Sequence, residues 1–164
     1  MSFTAWRITK RKHVKTAFSG SGARKYGGRW NSPGTAIVYA AQTQSLAVLE
    51  ILVHLGGPEL LQRYVLIGVE IEESWAREVE VSALPRNWRA NPAPVGLRRF
   101  GDDWVAGGAS AVLRVPSALV PGENNFLINP AHGDFRKLVV GDAIGFAFDE
   151  RLGMGAGTWR RGNA

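Results

Sequence analysis

The chain has 164 residues, 45% of them hydrophobic, and a formal charge of +6, enough for one core that buries roughly two thirds of the unfolded surface. No apolar run approaches the roughly 18 residues of a membrane span and the start is unlike a signal peptide, so a cytoplasmic protein with no membrane role is expected. The absence of cysteine excludes disulfides, thiol nucleophiles and thiolate metal sites, and His13, His54 and His132 lie too far apart for a recognisable metal motif.

Charge is unevenly placed. No Asp or Glu precedes Glu50, whereas Arg7, Lys10, Arg11, Lys12, Lys15, Arg24, Lys25 and Arg29 all do. A field of one sign attracts phosphate-bearing ligands. A solvated basic face or a nucleic-acid patch fits the same charges.

In chain order, Thr4 to Ile8 reads as a short opening strand, followed by a basic segment ending in glycines at 20, 22, 27 and 28 that permit tight turns or close backbone approach. Thr35 to Ala41 reads as a buried strand. Thr43 to Leu55 has helical period, with Thr43 as N-cap, Leu46, Leu49 and Val53 on one stripe, and Gly56-Gly57-Pro58 as the stop. Val65, Ile67, Val69 and Ile71 alternate with other residues and predict a central strand. A short strand is expected at Glu78 to Val81, a Pro-rich loop from Pro85 to Pro94, and then a helix with Leu97, Phe100 and Trp104 on one stripe. Strands are expected at Ala109 to Val115, Phe126 to Ile128, Lys137 to Val140 and Ile144 to Phe148, with a turn at Gly141-Asp142. Residues 153–164 read as a frayed tail in which Trp159 could dock. This order of elements gives α+β rather than a regular βαβ winding.

The densest cluster of unusual residues is Tyr26-Gly27-Gly28-Arg29-Trp30-Asn31-Ser32-Pro33-Gly34. Glycines on both sides of an arginine, an aromatic and an amide suit anion recognition, because the guanidinium fork matches phosphate oxygens and Arg7 could supply a second fork. Equally, Arg29 could pair with a carboxylate while Trp30 fills the core. Tyr39 could stack on a flat ring and offer its hydroxyl to a sugar, or be a plain core tyrosine. Glu50, the only carboxylate of its helix, projects either into a site or to solvent beside His54. Ser117 follows a predicted strand, as a site hydroxyl or a turn residue. No Gly-x-Ser-x-Gly elbow, Walker loop or dinucleotide fingerprint is present, so serine-hydrolase, P-loop and Rossmann readings have no support.

The succession Trp6-Arg7, Gly28-Arg29-Trp30-Asn31 with Gly34, Tyr39, Ala47, Glu50, Leu113-Arg114-Val115-Pro116-Ser117, Asn129-Pro130-x-His132 and Phe148-Asp149-x-Arg151-Leu152 resembles the RES-domain family over residues 5–152. That resemblance implies a domain over 1–152 with a tail at 153–164, and an α+β fold like that of ADP-ribosyltransferases, with mixed, largely antiparallel sheets and flanking helices. It further implies a toxin that inhibits growth by consuming NAD⁺, through hydrolysis, phosphorolysis or ADP-ribosyl transfer, with NAD⁺ as substrate and no resident cofactor or metal. The implied catalytic residues are Glu50, Arg29 and Ser117, and the implied NAD⁺ contacts are Arg7, Arg29, Tyr39, Trp30 and Asn31. The implied partner is an Xre-type helix-turn-helix antitoxin that blocks the site and alone contacts DNA. A basic nucleic-acid-binding or ribonuclease-type toxin is the competing reading of the charge.

Overall fold

A computed structural model describes residues 1–55, 59–60 and 62–154. The expected helix stop at Gly56-Gly57-Pro58 and residues 155–164 of the expected tail, Trp159 included, lie outside the described residues.

The opening strand β1 (Ser2–Lys10) is longer than its sequence pattern and pairs along its whole length, antiparallel, with β3 (Tyr64–Glu72). Val65, Ile67, Val69 and Ile71 are all buried, as strict alternation predicts. β7 (Val139–Phe146) then lines the other side of β3. It is one strand, not two strands around a turn at Gly141-Asp142. The register steps from Ile67↔Ala143 to Val69↔Val140, so β7 carries one extra residue there. A turn dipeptide has become a β-bulge because the pairing with β3 continues on both sides of it.

The other half of the sheet consists of β2 (Val38–Ala41), β4 (Ala76–Glu78), β5 (Val112–Pro116) and β6 (Asn124–Ile128). Strand order is β4-β5-β6-β2-β1-β3-β7, with only β4 and β5 parallel. The fold is therefore α+β on a mixed, largely antiparallel sheet of seven strands. Its two halves are joined through a single residue pair, Trp6↔Ala41 between β1 and β2. Beyond that pair the two strands part.

Short helices cover the sheet. After a 3-10 turn at Arg11–Thr16 come α1 (Ser21–Tyr26), α2 (Gln44–Leu52), α3 (Val95–Gly107) and α4 (Arg151–Met154). α3 docks as its stripe predicts: Leu97 and Trp104 are buried and Phe100 meets Trp30 edge-on, with ring centroids 6.2 Å apart. A Cβ at Gly101 would lie 1.7 Å from the Trp30 carbonyl oxygen, so the α3 backbone rests directly on that peptide.

α2 starts where the sequence places it, with Thr43 Oγ1 accepting from the Leu46 N–H at 3.0 Å. Its inward face differs from the expected stripe. Leu46 and Ala47 are buried, while Leu49 is 44% and Val53 58% exposed. Because the helix follows β2 after two residues and lies across β1 and β2, docking geometry rather than the apolar stripe sets its rotation. Glu50, three residues after Ala47 and four after Leu46, consequently shares the inward face. The opposite side, with Val48, Leu49 and Leu52, joins Leu66, Phe146 and Leu152 in an open apolar groove of about 460 Å³. Among the described residues no helix is long and apolar enough to cross a membrane.

Candidate active site

The glycine-flanked segment before β2 forms a closed knot around Tyr39. The Gly28 N–H donates to the Asn31 carbonyl at 2.9 Å, which turns the chain tightly enough to send Arg29 and Trp30 in different directions. A Cβ at Gly28 would come 2.6 Å from Tyr39 Oη and 2.8 Å from Asn31 Oδ1, so only glycine permits this approach. Tyr39 Oη accepts from the Trp30 N–H at 3.1 Å and donates to Asn31 Oδ1 at 2.7 Å. Asn31 Nδ2 is engaged in turn by the carbonyls of Ala23, Ser32 and Thr35.

Asn31 is thus 0% and Trp30 2% exposed, and both support the loop from inside. Burial pushes the Tyr39 hydroxyl above its ordinary pKa, which keeps it a neutral donor. Replacing Tyr39 with Phe strands a buried N–H and a buried amide oxygen; a loss of about 1–3 kcal/mol is expected, seen as a lowered thermal unfolding midpoint. Arg29 leaves the knot outward and donates through Nη1 to the carbonyls of Trp88 and Ala90, both at 3.0 Å. It thereby clasps the Pro-rich loop, and it makes no ion pair among the described residues.

Glu50 points inward onto the sheet. Its Oε1 accepts from Ser117 Oγ at 3.2 Å and from Asn125 Nδ2 at 2.6 Å, whereas Oε2 takes no hydrogen bond among the described residues. The carboxylate is thus held by one oxygen and presents the other. Ser117, 2% exposed, also accepts the N–H groups of Leu119 and Val120, each at 3.1 Å. Of the two alternatives that the sequence left, the turn bonds fit the turn residue, and the same hydroxyl also holds the Glu50 carboxylate. Asn125 was missed, because the predicted strand began at Phe126. The available signal was alternation: in β6, Asn125 shares a face with buried Leu127.

Arg7 stands at the seam where β1 and β2 part. Its Nη1 donates to the Tyr39 carbonyl at 2.8 Å, and its Nε is buried with no partner among the described residues. No carboxylate lies within ion-pair distance among those residues either. Burial lowers its pKa to about 10, so the group remains cationic at neutral pH. A half-buried cation whose Nε is buried without an acceptor, and which has no counter-charge among the described residues, is costly, and an anion relieves that cost.

The seam brings these groups close. Trp6 pairs with Ala41 and Ala41 with Asn125, so the backbones of Trp6 and Asn125 are two strand spacings apart, about 10 Å, and Arg7 follows Trp6 in β1. Arg7 and the Glu50 cluster approach the seam from opposite half-sheets. Arg29 makes no bond to the Glu50 cluster; its link to the seam runs through Trp30 and Tyr39.

A largely antiparallel sheet of seven strands that parts along one seam defines the class of fold. A chain of the M. tuberculosis MbcT-MbcA toxin-antitoxin complex shares this fold, with a TM-score of 0.74 over 94% of this chain and 88% of that one, at 17% identity. Sequence relatives are nearer. A Toxin Res of Yersinia enterocolitica is 41% identical over 148 residues, 90% of this chain and 97% of the relative. A Prs ADP-ribosylating toxin of Sphingobium sp. is 40% identical over 158 residues, 93% of this chain and 98% of the relative. The RES domain pattern matches residues 4–149, and the chain belongs to the RES domain family.

Proposed function

We propose that this protein is a toxin that cleaves the nicotinamide–ribose bond of NAD⁺. The observation that carries the reading is the acid-free guanidinium of Arg7 at the seam, its Nε buried without an acceptor, together with a Glu50 carboxylate on the inward face of α2 whose Oε2 is uncommitted among the described residues. Arg7 takes the diphosphate, with Arg29, which clasps the Pro-rich loop, as a second cation. Tyr39, Trp30 and Asn31 shape the segment that carries Arg29 from within. The names of the relatives from Yersinia and Sphingobium support a toxin, and the latter supports ADP-ribosylation.

The step is a displacement at the ribose C1. The C1–N bond breaks, its electron pair neutralises the pyridinium nitrogen, and nicotinamide leaves. Positive charge spreads over C1 and the ring oxygen, as in glycoside cleavage. Glu50 Oε2 stabilises that charge, while Ser117 and Asn125 keep the carboxylate in place. A nucleophile then adds to C1 and releases a proton. Water, phosphate and a protein side chain serve equally in this scheme; the ADP-ribosylating relative supports a protein acceptor.

Incubating the purified protein with NAD⁺ tests the proposal. Free nicotinamide is expected, with mass spectrometry distinguishing ADP-ribose, ADP-ribose-1″-phosphate and modified protein. No nicotinamide release in buffer, in phosphate and with candidate acceptor proteins overturns it.

An antitoxin is the implied partner, supported by the fold shared with a chain of a toxin-antitoxin complex. We assign it to the Xre helix-turn-helix type, blocking the seam with an acidic or helical tail and making the only DNA contacts. Undiminished NAD⁺ binding in the toxin–antitoxin complex contradicts this. The exposed basic residues Arg11, Lys12, Lys15, Arg24 and Lys25 make no ion pair among the described residues and favour a second reading, direct nucleic-acid binding. Salt-dependent RNA binding by the isolated protein is its test.

A further inference from the structure

We infer that Asn125 touches the substrate: its amide nitrogen fixes Glu50, and its amide oxygen accepts a hydrogen bond from a hydroxyl of the nicotinamide-side ribose. This rests on the NAD⁺ reading and adds a specificity-determining contact to it.

The orientation of the amide follows from its neighbour. Only a donor can sit 2.6 Å from the Glu50 Oε1 oxygen, so Nδ2 faces the carboxylate and Oδ1 faces away. Oδ1 is buried with no partner among the described residues. The wholly buried asparagines differ. Asn31 Oδ1 takes the Tyr39 hydroxyl, and Asn129 Oδ1 takes the Ala131 N–H at 3.0 Å while its Nδ2 donates to the Val105 carbonyl. Asn125 alone among these three leaves its acceptor open, and it does so beside the presented carboxylate. Buried acceptors in folded proteins are normally satisfied, so an open one points to a donor supplied from outside.

The character of that donor follows from a second open atom, at the seam and separated from β6 by β2; the third buried open atom among the described residues, Arg98 Nε, lies on α3. Arg7 Nε is a donor without an acceptor and Asn125 Oδ1 an acceptor without a donor. A ligand that answers both carries anionic oxygens at one end and hydroxyls at the other, which is a sugar diphosphate. The hydroxyl nearest a carboxylate poised at C1 is the one on C2 or C3 of that sugar.

The test compares cleavage of NAD⁺ with cleavage of analogues lacking the 2′- or the 3′-hydroxyl of the nicotinamide ribose. Wild type is expected to favour NAD⁺ over one analogue by about tenfold to a hundredfold in kcat/KM, the scale of a buried hydrogen bond left unmade. Asn125→Leu is expected to lose most of that preference. Asn125→Asp keeps the acceptor oxygen but sets a second carboxylate against Glu50, so it is expected to lose turnover while keeping the preference. It carries the test by itself if circular dichroism shows Asn125→Leu unfolded. A wild type that cleaves NAD⁺ and its analogues equally, or variants whose preferences run opposite to these, overturns the contact and leaves the NAD⁺ reading standing. A wild type that leaves NAD⁺ intact overturns both.

Discussion

Glu50→Gln is expected to slow nicotinamide release by about 10²–10⁴-fold, the scale of losing one electrostatic or acid–base group at a reacting centre. The replacement isolates charge from shape. The glutamine carbonyl can still accept from Ser117 Oγ and Asn125 Nδ2, the two donors that hold Glu50 Oε1. Its NH₂ then occupies the place of Oε2, where positive charge develops on the ribose, so an attractive anion becomes an N–H donor of the wrong polarity. Binding should change little, since the carboxylate makes its main contribution only once nicotinamide departs. The signature is a fall in kcat with KM within a few-fold of wild type, measured alongside a circular dichroism spectrum that matches wild type. Activity retained within twofold would remove Glu50 from the chemistry and leave the cluster with Ser117 and Asn125 as a structural tie between α2 and the β5–β6 turn.

The parts of this arrangement legible in the sequence were those set by local chemistry. Alternation gave β3 because one of its faces, Val65, Ile67, Val69 and Ile71, is wholly buried, and Thr43 gave the start of α2 because an N-cap is a contact within one turn. Tertiary contacts set the rest. Gly141-Asp142 has turn composition, yet continued pairing with β3 absorbs the extra residue as a bulge. The inward face of α2 depends on how the helix crosses β1 and β2, so a pattern of leucines selected the wrong stripe and left Glu50 ambiguous between site and solvent.

A similar division holds for the site. Arg7, Arg29, Glu50 and Ser117 were singled out by residue type and by family resemblance. Which groups each one meets could not be read from spacing: Glu50 and Ser117 are 67 positions apart and share a hydrogen bond. The family resemblance implied ligand contacts at Trp30 and Asn31, and the residues alone also allowed Trp30 to fill the core. In the fold the flanking glycines serve the close packing of Gly28 against Tyr39, and the Trp30 ring and the Asn31 amide face inward.

Arg7→Met is expected to weaken NAD⁺ or ADP-ribose binding by about 10²-fold or more, equivalent to about 3 kcal/mol, while leaving the free protein at least as stable as wild type. The two effects have one cause. Burial lowers the Arg7 pKa from its ordinary value to about 10, so the folded state holds this proton less tightly than the unfolded chain does. For a base shifted down, the cost to stability is present in full below about pH 10 and is relieved only as pH climbs from there toward the ordinary arginine pKa. At neutral pH the protein therefore carries a desolvated cation whose only side-chain hydrogen bond among the described residues goes to the neutral carbonyl of Tyr39. Methionine has similar reach without the charge. It forfeits one hydrogen bond, worth about 1 kcal/mol, and removes a desolvation penalty of several kcal/mol. Thermal melts with and without inorganic pyrophosphate separate the terms: the diphosphate should raise Tm of the wild type by linkage and leave Arg7→Met unmoved. A variant that binds normally but melts earlier would make Arg7 a structural tie across the seam, and the cation would need another account. Arg7→Lys should fall between, since an ammonium keeps the charge but loses the planar fork that reaches Tyr39 and a diphosphate oxygen together.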